Sequence, residues 1–227
     1  MKVRTIVTAA IATAIAAAIL LGSCTTVSPY YDASRKDLPA HHTRDGFRNN
    51  YLEFTPPDFW KWQWERMHEG LPRPPREAIP VAQPESAFLR ANATEPTVTW
   101  VGHATVLLQV ASYNILTDPH LGERASPFSF AGPKRKTPPG LDYDQLPHID
   151  LVLISHSHYD HLDEGTVKRL NNQPGKPPLF LVPLGLESWF RSKGITNVVE
   201  LDWWDRFGMG SLDIHLVPVQ PWSARGL

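Results

Sequence analysis

Apolar and polar residues along the second half of the chain follow a pattern that predicts strands interleaved with short helices. Short apolar runs bounded by turn residues are typical of strands, and Asp163 has the N-cap chemistry that starts a helix. The predicted strands cover 97–101, 104–110, 113–117, 149–155, 179–182, 198–201 and 212–219, and the predicted helices cover 59–69, 164–170 and 186–192. This interleaving indicates the α/β class with mixed strand pairing.

The most continuous apolar strand leads directly into the pattern H-x-H-x-D-H at residues 156–161. Imidazole and carboxylate donors bind borderline-soft divalent ions, and zinc is the usual occupant of such a set. His156 and His158 are two residues apart, so they point the same way in an extended chain, whereas Asp160 and His161 follow the turn. The motif therefore predicts half the ligands of each of two neighbouring metal ions. The alternative is a polar surface loop with chance histidines.

The amino terminus has the three parts of an export signal. Residues 1–4 include the basic Lys2 and Arg4, residues 6–21 are apolar or small, and Ser23-Cys24 follows. This order is typical of a secretory signal peptide, and its end resembles a bacterial lipobox, whose cysteine is acylated. The alternatives are a chance cysteine or a spanning anchor, although a span needs about 20 apolar residues. We therefore expect a lipoprotein acylated on Cys24. Thr25 rather than aspartate follows the cysteine, which by resemblance to bacterial lipoproteins implies the outer membrane, facing the periplasm.

Composition bounds the organisation and the partners. The chain has 22 basic and 23 acidic residues and 42% hydrophobic residues, which favours a normal globular core and argues against nucleic-acid binding. Many of the 22 prolines lie between Pro29 and Pro96. We therefore predict a signal peptide at 1–23, a tether and Pro/Trp-rich arm at 24–95, and a folded domain at 96–227. Trp60 and Trp64 share a helix face, and this face either packs on the core or meets a lipid or protein partner.

The segments around the motif resemble one family. The pattern H-x-H-x-D-H after an apolar strand is similar to the metallo-β-lactamase superfamily, an αββα sandwich with two metal ions between its sheets. The flanking segments resemble the N-acyl-phosphatidylethanolamine phospholipase D family; they read Trp100-Val101-Gly102-His103-Ala104-Thr105, Thr117-Asp118-Pro119, Arg124-Ala125-Ser126-Pro127 and Gly132-Pro133-Lys134-Arg135. The resemblance runs from about residue 100 to the end and implies a metallo-β-lactamase-like αββα sandwich.

The resemblance also implies roles for individual residues. His156 and His158 would hold one Zn²⁺ and Asp160 and His161 a second, with Asp160 also orienting the attacking water. Asp118 and His103 are expected to support these ligands or anchor their loops. For His103, a buried structural histidine is the alternative.

The chain departs from the family pattern near its end. The family has Gln-His-Trp where this chain reads Gln220-Pro221-Trp222, and proline offers no donor atom. The bridging aspartate and the last histidine of the family would lie beyond Leu227. We therefore expect an incomplete ligand set and a sandwich that is incomplete in its second half. His215 is the alternative ligand.

The function implied by the resemblance is zinc-dependent hydrolysis of a phosphodiester bond. The expected substrate is a phospholipid, N-acylated phosphatidylethanolamine, or another phosphodiester, met at the membrane through the lipidated amino terminus. The alternatives are a non-catalytic membrane-anchored lipoprotein and a metal-dependent hydrolase of a soluble periplasmic ester. The sequence indicates no oligomeric state.

Overall fold

The computed structural model describes residues 27–50, 58–69 and 80–219. The chain divides into two compact units, residues 1–73 and 74–227. The predicted signal peptide, Cys24 and Pro221 lie outside the described residues, and the predicted domain boundaries stay a prediction. None of the described helices combines the length and the apolar character that crossing a bilayer requires.

The first unit contains a small hairpin and one helix. Strands β1 (His42–Thr43) and β2 (Gly46–Phe47) pair antiparallel. Helix α1 (Phe59–His68) starts where the carboxylate of Asp58 accepts a hydrogen bond from the backbone N–H of Lys61 at 2.9 Å. This helix was predicted from its sequence. Trp60 and Trp64 are both exposed, and what their face meets stays a prediction.

The second unit is built on a mixed six-stranded sheet. Its elements in chain order are α2 (Ser86–Ala91), β3 (Thr97–Gly102), β4 (Thr105–Val110), β5 (Tyr113–Thr117), a 3-10 turn (Tyr143–Gln145), β6 (Leu151–Leu153), α3 (Glu164–Asn171), β7 (Leu179–Pro183), α4 (Glu187–Ser192), β8 (Val198–Leu201), β9 (Arg206–Met209) and β10 (Leu212–His215). The sheet order is β3-β4-β5-β6-β7-β8. Strands β3 to β5 are antiparallel, and β5 to β8 are parallel. The mixed α/β class is therefore confirmed.

Apolar cores lie on both faces of this sheet around β6, because successive side chains of a strand point to opposite faces. On one face, Val152 of β6 packs with Val167 of α3 and Phe190 of α4. On the other face, Leu151 of β6 joins a cluster with Phe207 and other residues of the β9–β10 hairpin. The described residues thus form a helical layer, the main sheet and a hairpin layer.

The sheet topology positions the candidate site. Strands β5 and β6 are parallel neighbours, with Thr117 paired to Leu153, so the segments that follow both strands leave the sheet at the same edge. The backbone N–H of Asp118 continues this pairing by donating to the carbonyl of Leu153 at 2.8 Å. Asp118 and the H-x-H-x-D-H loop consequently lie side by side.

Candidate metal centre

The carboxylate of Asp118 lies at the centre of the site. It is buried, with 7% of the residue exposed, and it accepts three hydrogen bonds. Its Oδ1 accepts from the backbone N–H of Ser155 at 2.7 Å, and its Oδ2 accepts from the Ser155 hydroxyl at 2.7 Å and from His161 Nδ1 at 3.0 Å. One carboxylate therefore holds both the start and the end of the metal loop, residues 155–161.

This network assigns the ring tautomer of His156. Because the Ser155 hydroxyl donates its proton to Asp118, its oxygen is left to accept from His156 Nδ1 at 2.9 Å. The Nε2 of His156 is then the atom that can bind a metal, and it lies 3.0 Å from His158 Nδ1. Two nitrogens on one tetrahedral zinc lie about 3.3 Å apart. The spacing of these two ring nitrogens therefore fits a shared divalent ion.

The protonation state of His156 also suits a ligand. Burial lowers the pKa of its imidazole, and the neighbouring His161 and His158 lower it further. Metal ions bind the neutral ring, so this environment favours the form that binds.

A second group of donors converges on Asp160. His161 gives its Nδ1 proton to Asp118, which leaves Nε2 facing Asp160 Oδ2 at 3.6 Å. The same carboxylate oxygen lies 2.8 Å from His103 Nε2. Burial opposes the charge of Asp160, but its own backbone N–H, His161 and His103 outweigh burial and lower its pKa. The donor atoms of His103, Asp160 and His161 all lie within 4.8 Å of one another, so this group can hold a metal ion.

The structure thus brings together the four predicted ligands of the motif and both expected supporting residues. The rings of His156 and His161 have centroids only 4.1 Å apart, so the two donor groups adjoin. His103 occupies the β3–β4 turn with φ +51°. It contacts Asp160 and His161 rather than His156 and His158. Whether each residue ligates or supports stays a prediction.

His215, the alternative ligand, is not among these donors in the described part of the chain. It lies on β10 with its side chain half exposed, and its Nε2 is 3.5 Å from Asp213 Oδ2 on the same strand. No metal-binding role is indicated by that contact.

Two residues of the site were not singled out from the sequence. The Ser155 hydroxyl bonds to both Asp118 and His156 and so connects them. The sequence signal that could have identified it is a serine directly before H-x-H at the end of a strand. Arg135, part of the Gly-Pro-Lys-Arg segment, donates to the backbone carbonyls of His120 and Gly122, the latter at 3.2 Å. Burial lowers the pKa of Arg135, and Asp163 partly opposes this. Arg135 therefore fixes the turn that follows Asp118.

With this geometry in place, comparison with known proteins assigns the family. A model described as the Beta-lactamase superfamily domain matches residues 113–227. The chain belongs to the beta-lactamase superfamily. Its relatives include an uncharacterised protein of Mycobacterium tuberculosis, 40% identical over 166 residues, which are 72% of this chain and 44% of that protein.

The chain is also similar to an enzyme with a named activity. The N-acyl-phosphatidylethanolamine-hydrolyzing phospholipase D 1 of Caenorhabditis elegans is 41% identical over 138 residues, which are 57% of this chain and 38% of that protein. Among solved structures, CmlA, a diiron beta-hydroxylase from Streptomyces venezuelae, is 29% identical with a TM-score of 0.44, covering 56% of this chain and 24% of that one. The chain spans less than half the length of these relatives.

We expect Asp118→Asn to weaken metal binding about 10- to 100-fold, which is typical when a group that orients metal ligands is lost. The amide places a donor against Ser155 or His161, so the ring orientations are no longer fixed. The measurement is zinc affinity by competition with a chelator. The matched control is Asp150→Asn, since Asp150 accepts from the backbone N–H of Asn114 at the opposite end of β6. Equal affinities of Asp118→Asn and the parent would refute the role.

The variant His103→Asn tests whether His103 is a metal ligand or a residue that supports one. As support, His103 orients Asp160, so its loss should keep the number of bound metal ions and lower the affinity about 10- to 100-fold. The measurement is metal stoichiometry by elemental analysis after dialysis, together with the affinity titration. A drop of one bound ion per chain would instead identify His103 as a ligand.

Proposed function

We propose that this beta-lactamase superfamily protein is a metal-dependent phosphodiesterase acting on phospholipids. The observation that carries the proposal is the pair of adjoining donor groups held by the Asp118 carboxylate. The similarity to a phospholipase D named for hydrolysing N-acyl-phosphatidylethanolamine supports the same substrate class.

The donors present supply part of the ligand set of two divalent ions, because a catalytic zinc takes three protein ligands. His156 and His158 would hold one ion, and Asp160 and His161 would hold the second with His103 beside them; zinc is the expected metal. Bound ions of this kind polarise a phosphoryl oxygen and lower the pKa of water to about 7.

The protein residues contribute orientation and proton handling. Asp160 is held ionised by its backbone N–H, His161 and His103, so it can accept a hydrogen bond from the attacking water and align it with the phosphorus. Asp118 keeps the proton on Nδ1 of His161, and through Ser155 on Nδ1 of His156. Preorganised groups of this kind need no rearrangement when charge develops in the transition state.

We also propose that the protein is exported and anchored through acylated Cys24. A tethered enzyme meets a lipid substrate in the plane of the membrane, and acylation with more than one chain gives stable anchoring. The expected location is the outer membrane, facing the periplasm.

The catalytic proposal is tested on the purified full chain. We expect bound zinc, hydrolysis of bis(p-nitrophenyl) phosphate and of N-acyl-phosphatidylethanolamine in vesicles, and loss of both activities on chelation with recovery on adding zinc. Asp160→Asn should lower both rates about 100-fold or more, whereas His215→Ala, the matched surface control, should leave them unchanged. Iron instead of zinc in the elemental analysis would show that the expected metal is wrong. Less than one tightly bound metal ion per chain, together with no hydrolysis, would refute the proposed enzymatic activity.

The anchoring proposal is tested by Cys24→Ser. A hydroxyl cannot take the thioether-linked lipid, so incorporation of an alkyne-tagged fatty acid and recovery in the outer-membrane fraction should both be lost. Thr25→Ser is the control and should keep both. Retention of the tag in Cys24→Ser would show that the lipid is attached elsewhere.

A further inference from the structure

A loop beside the metal centre presents two phenylalanines to solvent. Phe128 is 43% exposed and Phe130 is 79% exposed, and their ring centroids lie 5.5 Å apart. All four residues from Pro127 to Phe130 are exposed. Single exposed apolar residues are ordinary, whereas grouped ones mark an interaction surface. We call residues 123–136 the docking loop.

The base of the docking loop is firmly closed. The backbone N–H of Ala125 donates to the carbonyl of Pro133 at 3.0 Å, and that of Arg135 to Glu123 at 2.8 Å. Arg124 donates to the carbonyl of Gly132 at 2.7 Å. A Cβ on Gly132 would lie 2.6 Å from Ser126 Cβ, so only glycine allows this closure. Because the base is already closed, docking the loop orders only the few residues of its tip.

The charge of the docking loop indicates the kind of surface it meets. Glu123 is its only carboxylate, and it pairs with Lys134. Arg124, Arg135 and Lys136 add further positive charge, and Lys136 is exposed. Aromatic side chains next to basic ones are the composition that binds the headgroup layer of an anionic bilayer.

The docking loop is continuous with the metal centre. Phe128 lines a groove of about 800 Å³ together with Tyr159 of the H-x-H-x-D-H motif, and Lys168 and Lys193 line the same groove. Arg135 joins the loop to the turn after Asp118 through the carbonyl of His120. Glu123, Asp163 and Glu164 also line the groove, so its charge is mixed. A lipid surface at the tip would therefore lie at the mouth of a groove that reaches the metal loop at Tyr159.

We propose that the docking loop binds the surface of an anionic lipid bilayer, with Phe128 and Phe130 in the headgroup layer. The inference rests on the proposed function for its purpose, which is to bring the groove to a lipid substrate. It adds a contact that is independent of Cys24.

The test measures immersion at the tip directly. A nitroxide is attached at Ser129→Cys in a full chain that also carries Cys24→Ser, and a second protein carries the label at Ser211→Cys, an exposed turn outside the docking loop. Electron paramagnetic resonance compares the collision of each label with oxygen and with a polar nickel complex. The vesicles are phosphatidylethanolamine–phosphatidylglycerol or phosphatidylcholine alone.

We expect the label at 129 to gain oxygen collisions and lose nickel collisions on the anionic vesicles only, and the label at 211 to stay in water. Adding Phe128→Ser and Phe130→Ser should abolish the shift at 129. The matched control pair, Phe88→Ser and Val98→Ser, removes apolar residues of similar exposure (40% and 76%) and should preserve it.

Three outcomes would overturn the proposal. The first is that the chain does not bind the vesicles. The second is that it binds them while the label at 129 stays fully accessible to nickel. The third is that the label is immobilised without vesicles as the chain dimerises, which would make the tip a contact between two copies. Hydrolysis of bis(p-nitrophenyl) phosphate is followed in parallel. If the label at 129 enters the bilayer but no hydrolysis occurs, only the proposed function is refuted. If hydrolysis occurs but the label at 129 stays in water, only membrane binding by the docking loop is refuted.

Discussion

The candidate site depends on one buried interaction, the carboxylate of Asp118 with its three hydrogen-bond donors. A buried charge is costly unless it is paired and hydrogen-bonded, and Ser155 and His161 supply those bonds. The same bonds determine which ring nitrogen of His161 faces the donors around it. Through Ser155 they determine the same for His156. Asp118 thereby couples the two donor groups, although it lies in neither. A change at this position acts on both groups at once.

The position of Asp118 follows from the pairing of β5 with β6. Parallel neighbours end at the same edge of the sheet, and β6 is held between a helical layer and the hairpin layer. The backbone then has to turn sharply, and Asp118 takes a φ of +36°, a conformation that aspartate accepts more readily than most residues. The apolar core therefore determines where the carboxylate lies, and the carboxylate determines how the histidines are turned.

Sequence patterns predicted most of the elements and less of the site. The strands at 113–117 and 198–201 have the predicted bounds, and Asp163 caps α3 as predicted by accepting from Thr166 at 3.1 Å. The strand predicted at 149–155 covers only Leu151–Leu153, and beyond its carboxyl end Ser155 turns its backbone N–H to Asp118. Strand β9 was missed since Arg-Phe-Gly-Met has little strand character on its own. The contact of His103 with Asp160 joins residues 57 positions apart, which no local pattern encodes.

Arg135 links the docking loop to the turn that follows Asp118. Its guanidinium reaches the carbonyls of His120 and Gly122 from the base of the docking loop, and His120 is two residues from Asp118. Although burial lowers its pKa, arginine remains charged throughout the physiological range, so this link does not depend on pH. The loop proposed to bind lipid and the carboxylate that orders the histidines are therefore joined through the hydrogen bonds of one arginine.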